Sequence, residues 1–193
     1  INPMDDKLSF AGSFSTDRPV DKTFYDYINA FAKTFHVRRD PSILKKDAKW
    51  EEHAFRSLGD PTLGTEDAAF YVGHDDTSIT YYIACKSTPS KQCNWVMTDL
   101  STIEWNGRRD NSNYFAWLEF LIHNFFKPCG YHLNGSIHFT NGDDSSDFGC
   151  IICQDNQLRI SSKISSLPPL SLYTDLELER EMEIRKQRRR RAS

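Results

Sequence analysis

"NYFAWLEFLIHNFFKPCGYHLNGSIHF", residues 113–139, is the stretch on which the reading of this chain turns. Ten of its first fourteen residues are apolar, and Glu119 and His123 sit among them. Tyr114, Trp117, Leu118, Leu121, Ile122 and Phe125 recur at helical spacing, which predicts a helix with a wide apolar face. Lys127-Pro128 and Gly130 then end it, since proline cannot continue a helix and glycine suits the position just past one. Glu119 and His123 lie four apart, one above the other on the helix surface. A carboxylate beside an imidazole can orient it and raise its basicity for general-base catalysis. The same pair equally suits the narrow polar edge of a packing helix. No serine or cysteine is set by spacing against His123 as a nucleophile, and the packing reading is preferred.

The flanking segments alternate as strands do. In "YHLNGSIHF", His132, Asn134, Ser136 and His138 share one face, opposite Leu133, Ile137 and Phe139. Such a polar stripe is either a solvent face or the place where a sheet carries contacts to a ligand or RNA. "DFGCIICQDNQLRIS" is expected to pair with it across the loop "TNGDDSSD". Asn134-Gly135 and Asp155-Asn156 read as turn dipeptides, because Asn and Gly tolerate positive φ. Upstream, "AAFYVG" and "SITYYIACK" predict a hairpin across "HDDT", and "NWVMTDLSTIEWNG" continues the sheet. Nearer the start, "KLSFAGSF" predicts a strand. "DKTFYDYINAFAKTF" predicts a helix with Phe24, Tyr27, Ile28, Phe31 and Phe35 on one face and Asp21 as its cap. Residues 38–64 are mixed, with a short helix expected around "DAKWEEHAFRSLG". Residues 1–160 are therefore expected to form one α+β globular domain, a mostly antiparallel sheet with two main helices packed on one face.

The chain has 193 residues, 13% of them aromatic, and a formal charge of −3 that hides an asymmetry. Residues 175–193 hold seven basic and five acidic side chains, a balance of +2; the 17 basic and 22 acidic residues before them give −5. No apolar run reaches the roughly 18 residues that a membrane-crossing helix needs, so no membrane contact is expected. Residues 161–171 form a Ser/Pro-rich linker with Pro168-Pro169, and 172–193 a charged amphipathic helix with an arginine-rich end. This C-terminal helical extension has a thin apolar stripe of Leu172, Leu176, Met182 and Ile184, too little to stand alone in water, so 172–184 predicts a protein partner. In "RKQRRRR", Arg185, Lys186, Arg188, Arg189, Arg190 and Arg191 put six cations in seven positions. That density fits phosphate neutralisation on nucleic acid, or an acidic protein surface. The final "RRAS" makes Ser193 a candidate for phosphorylation, which would set a dianion beside the arginines and weaken their pull on phosphates.

Three further groups carry less. Cys150-Ile-Ile-Cys153 has the spacing of a redox or zinc half-site, but residues three apart on a strand point to opposite faces. Five cysteines, an odd and sparse set, predict free thiols and an intracellular reducing compartment, cytoplasmic or nuclear. Asp143, Asp144 and Asp147 near Asn141 cluster as calcium ligands might, yet Ser146 and Ile152 stand where the helix-flanked calcium loop needs glycine and glutamate. No metal or cofactor is expected.

The motifs W-L-x-x-L-I-x-x-F, P-x-G-Y-x-L-N-G and D-x-G-x-I-x-x-x-D-N, within residues 8–160, resemble those of a family of small uncharacterised proteins from bacteria and phages. The resemblance implies a compact α+β fold and carries over no catalytic residue. The expectation is a non-enzymatic binding module with a basic tail that contacts nucleic acid or an acidic partner. One alternative is a metal-assisted hydrolase or nuclease using Glu119, His123, His132, His138 and the Asp143/Asp144/Asp147 loop. A second is a structural component of a viral or cellular assembly.

Overall fold

Strand β1 (Leu8–Thr16) lies in the middle of the sheet although it comes first in the chain. In the computed structural model, residues 8–44, 68–108, 113–141 and 148–162 are described. They contain helix α1 (Lys22–Lys33), strands β2 (Val37–Arg39), β3 (Ile79–Ala84), β4 (Trp95–Met97) and β5 (Thr102–Trp105), and helix α2 (Tyr114–Leu121). Strands β6 (Leu133–Asn141), β7 (Phe148–Gln154) and β8 (Gln157–Ser162) follow. Six strands form one sheet in the order β4-β5-β1-β6-β7-β8, every pairing antiparallel. β2 and β3 form a separate two-stranded ribbon. The α+β class with a mostly antiparallel sheet and two helices is as expected. The C-terminal helical extension and the short helix near residue 50 lie outside the described residues.

The register between β1 and β6 runs from Leu8 opposite Asn141 to Thr16 opposite Leu133. It turns Leu133, Ile137 and Phe139 into the core and leaves His132, Asn134, Ser136 and His138 exposed, so the polar stripe is real. Asn134-Gly135 is not a turn. It sits inside β6, where Gly135 has φ +133° and an added Cβ would stand 2.8 Å from the Ser13 carbonyl oxygen. The glycine is there because β1 comes too close for a side chain. Asp155-Asn156 is the turn the dipeptide suggests. Both residues have positive φ (50° and 65°), and they join β7 to β8 with Gln154 opposite Gln157.

Helix α1 begins as its sequence predicts, the Asp21 carboxylate accepting the Phe24 N–H at 2.8 Å. Phe24, Tyr27, Ile28 and Phe31 are buried. The helix stops at Lys33, so Phe35 leaves the apolar face and is exposed. Asn29 clamps the helix to the sheet, donating to the Met97 carbonyl and accepting from the Met97 N–H. Helix α2 continues into one turn of π-helix (Ile122–Phe126), closed by Lys127 N–H to the Ile122 carbonyl. The wider turn brings both Phe125 and Phe126 to full burial beside Trp117, Leu118 and Leu121.

"AAFYVG" forms no strand, and the expected hairpin with β3 does not exist. Ala68 has φ +56° and opens a turn closed by Tyr71 N–H to its carbonyl. Side chains take the backbone bonds a ladder would have used. The Tyr27 hydroxyl donates to the Phe70 carbonyl, Gly73 N–H donates to Thr34 Oγ1, and Asp75 N–H donates to the Tyr71 hydroxyl. β3 pairs instead with the three residues of β2.

Phe125 has no exposed surface and touches the rings of Tyr27, Phe31, Phe70 and Phe120. Phe125→Ala should lower the free energy of unfolding by about 3–5 kcal/mol, read from the midpoint and slope of urea denaturation.

Candidate functional site

The exposed residues of α2 and its π-turn are spaced by four: Glu119, His123 and Lys127. Everything between them on the inner side is buried or half-buried, so these three form the narrow polar edge of a packing helix. They border a surface cleft of about 310 Å³ whose other walls are Ile122, Asn156 and Leu158. The cleft thus lies between the end of α2 and the β7–β8 turn. A carboxylate, an imidazole and an ammonium group meet there, and no hydroxyl or thiol is among the residues lining it.

Asn156 is held in this wall by its own bonds. Its Oδ1 accepts the Leu133 N–H at 2.8 Å, its Nδ2 donates to the Tyr131 carbonyl at 2.8 Å, and its N–H donates to the Leu133 carbonyl. The side chain copies a strand edge and pins the β7–β8 turn to the start of β6. Its amide is committed to backbone and has little left to offer a substrate.

His132 lies at a second place. Its Nδ1 is 2.5 Å from Asp155 Oδ1, and its backbone N–H donates to Asp17 Oδ1 at 2.9 Å. That bond holds the Asp17 carboxyl below the usual carboxylate range, with Arg18 and His132 adding charge attraction. Asp155 N–H donates to Asn134 Oδ1, and Asp17 N–H donates to the His132 carbonyl. These bonds tie together the end of β1, the start of β6 and the β7–β8 turn. Beside them the Arg18 guanidinium stacks 4.8 Å over the Tyr131 ring, whose hydroxyl donates to Asp21 Oδ2 at 3.2 Å. His138 is at a third place, on the exposed face of β6 between Ala11 and Cys150. The four sequence candidates therefore divide among three sites.

His36 is a histidine that sequence reading passed over. It is fully buried, its ring 4.0 Å from that of Phe31 and 5.5 Å from that of Trp117, with Nε2 2.9 Å from the Phe31 carbonyl. Burial drives its pKa down to about 4; the hydrogen bond to the Phe31 carbonyl resists the shift and the Arg39 charge assists it. A lone histidine after a helix end gives no sequence signal of this kind, because burial is decided by elements far away.

Three of the thiols are poor nucleophiles. Burial pushes Cys93 and Cys153 up to about 12 and Cys129 to about 11. Cys153 is buried with Sγ donating to the Leu133 carbonyl, while Cys150 is half-buried on the opposite face of β7, so the pair diverges as strand geometry requires. All five cysteines are free of disulfides. Among the described residues no three His, Cys, Asp or Glu side chains come together to hold a metal ion, and no helix is long and apolar enough to cross a membrane. Asp143, Asp144 and Asp147, the arginine-rich run and Ser193 lie outside the described residues.

Compared with models of known protein families, with curated proteins and with solved structures, the chain finds no match.

Two expectations follow. Glu119→Gln and His123→Asn should each change stability by less than about 0.5 kcal/mol, as surface substitutions do. His36 behaves differently. It is neutral when folded and has an ordinary value of 6.5 when unfolded, so below pH 6.5 the unfolded chain binds the extra proton. Stability is complete above that value and falls as pH drops toward 4, by at most about 3 kcal/mol. Urea midpoints at pH 7 and pH 4.5 should differ clearly in the wild type and less in His36→Gln.

Proposed function

We propose that the chain is a non-enzymatic binding module whose basic tail contacts nucleic acid, with an acidic protein surface as the competing partner. The observation that carries the proposal is the density of charge in 185–191, where Arg185, Lys186, Arg188, Arg189, Arg190 and Arg191 leave only Gln187 uncharged. Capping the dipole of a helix end would require one or two of them. Counterion release from phosphates uses all six.

The folded body agrees with this reading in how it spends its polar groups. Asn156, Asp17, Asp155 and Asn134 are tied into bonds that hold strands together. Glu119 and His123 edge a helix that is otherwise core. A hydrolase or nuclease built on Glu119, His123, His132 and His138 is the less favoured reading, since those groups fall at three separate places. The kinship to bacterial and phage proteins suggested by the motifs belongs to the same proposal. So does a role in an assembly, with 172–184 packed on a neighbouring chain.

Removal of 185–193 should abolish a gel shift on duplex nucleic acid. In the intact chain the logarithm of duplex affinity should fall with the logarithm of salt at a slope of roughly −5, as six phosphate contacts require. Retained duplex binding after truncation would end the proposal.

A further inference from the structure

The most exposed large rings among the described residues belong to the β2–β3 ribbon. Tyr81 is 65% exposed, Tyr82 61% and Ile83 51%, and Phe35 beside them is 43% exposed. From Thr80 to Ile83 no side chain of β3 is buried. The ribbon's register shifts on both sides of Arg38, and Tyr81 and Tyr82 are exposed side by side in β3. Contiguous exposed apolar surface of this kind marks an interaction site.

Each ring has a cation. Arg38 is the register partner of Tyr81, between two shifts of the register. Lys91 Nζ lies 5.3 Å from the centroid of the Tyr82 ring, and the Phe35 ring lies 6.3 Å from it. Arg38 is half-buried, its Nε shielded from water with no hydrogen-bond partner, and neither Arg38 nor Lys91 is paired with a carboxylate among the described residues. Two acids of this region are engaged in their own turns. Asp40 Oδ1 accepts from the Ser42 N–H and hydroxyl, and Asp75 Oδ1 from the Thr77 N–H and hydroxyl.

The ribbon is anchored from beneath. Arg39, unlike its neighbour, is buried; it donates to the Asp75 carbonyl and to Ser78 Oγ and stacks 4.8 Å over the Tyr71 ring. Cys85 N–H donates to the His36 carbonyl, His36 N–H to the Lys91 carbonyl, and the Thr80 hydroxyl to the Arg38 carbonyl. Arg38, Lys91 and the two tyrosines are thereby held on a fixed base.

We propose that this ribbon binds single-stranded nucleic acid, unpaired bases stacking on Tyr81 and Tyr82 while Arg38 and Lys91 hold the adjoining phosphates. Flat rings alternating with cations match the alternation of base and phosphate along a strand. A duplex keeps its bases stacked on one another and cannot use the rings. The site lies on the folded body and stands apart from the tail, whose charge would not distinguish single strands from duplex.

The test uses the full chain and fluorescence anisotropy, with a short labelled oligothymidine and a duplex of equal length at one fixed salt concentration. Wild type should prefer the single strand. Replacing both rings (Tyr81→Ser with Tyr82→Ser) should weaken oligothymidine binding by roughly tenfold or more, as loss of stacked bases does, and leave duplex binding unchanged. The ring-keeping pair Tyr81→Phe with Tyr82→Phe should stay within about twofold of wild type. Removing 185–193 should weaken both polymers and preserve the preference for the single strand. The proposal is overturned if oligothymidine does not bind, if the serine variant binds it as wild type does, or if the preference disappears with the tail. It is also overturned if the serine substitutions abolish a dimer in sedimentation and leave oligonucleotide binding unchanged.

Discussion

Phe31 has no exposed surface, and the rings of Tyr27, His36, Trp117, Phe120 and Phe125 all lie within 6.1 Å of it. The meeting of the two helices is this cluster. Edge-to-face contacts such as Phe31 with Trp117 and Phe125 fix the angle at which rings can meet, which a cluster of aliphatic chains would not. Trp117 also donates its indole N–H to Ser90 Oγ at 2.8 Å, and Trp95 donates to the Tyr114 carbonyl at 2.8 Å. The ring core therefore places the loop before β4 and the start of α2 as well as the helices. The π-turn is part of the same demand, since it admits Phe125 and Phe126 together.

A helix that buries so wide a face leaves only a narrow edge for water. Glu119, His123 and Lys127 occupy that edge because the other directions are taken. Their clustering follows from the 3.6-residue period and needs no catalytic cause. Corner contacts follow similar logic. His132, Asp155, Asp17 and Asn156 meet where three chain segments converge, and most bonds there fill a backbone group that the end of a strand leaves open. Polar residues that are spent on strand ends hold the architecture steady, and they have less capacity left for a ligand.

Local periodicity made much of this legible in the sequence. The apolar spacing of α1 and α2, the Asp21 cap, the Asp155-Asn156 turn and the alternation from His132 to Phe139 are properties of neighbouring residues, and each can be read without the fold. Pairings across long separations could not. β2 has three residues and joins β3 some forty positions later, so its strand character exists only through its partner. "AAFYVG" has the composition of a strand, but its carbonyls and N–H groups are taken by Tyr27, Thr34 and Tyr71, all distant or turned back on it. Asn134-Gly135 has the composition of a turn, and the close approach of β1 makes it a bend inside a strand. The same limit hid the candidate sites. Asp155 as the partner of His132, and the exposure of Tyr81 and Tyr82, depend on which surfaces the sheet leaves uncovered.

Charge places a further constraint on any polyanionic partner. Residues 1–174 carry a formal −5, so the body as a whole repels phosphate at long range. At physiological salt that repulsion is screened beyond about 8 Å, and contact is governed by what lies within that distance. Arg38 and Lys91 put positive charge near Tyr81 and Tyr82, while Asp40 and Asp75 are held in turn hydrogen bonds. A strand of nucleic acid held there would be selected by stacking at short range, against a mildly unfavourable background that discourages binding elsewhere on the body. A cationic tail would supply the opposite property, attraction without discrimination. The two together would separate encounter from recognition: charge density raises the rate of meeting, and the rings decide which strand stays.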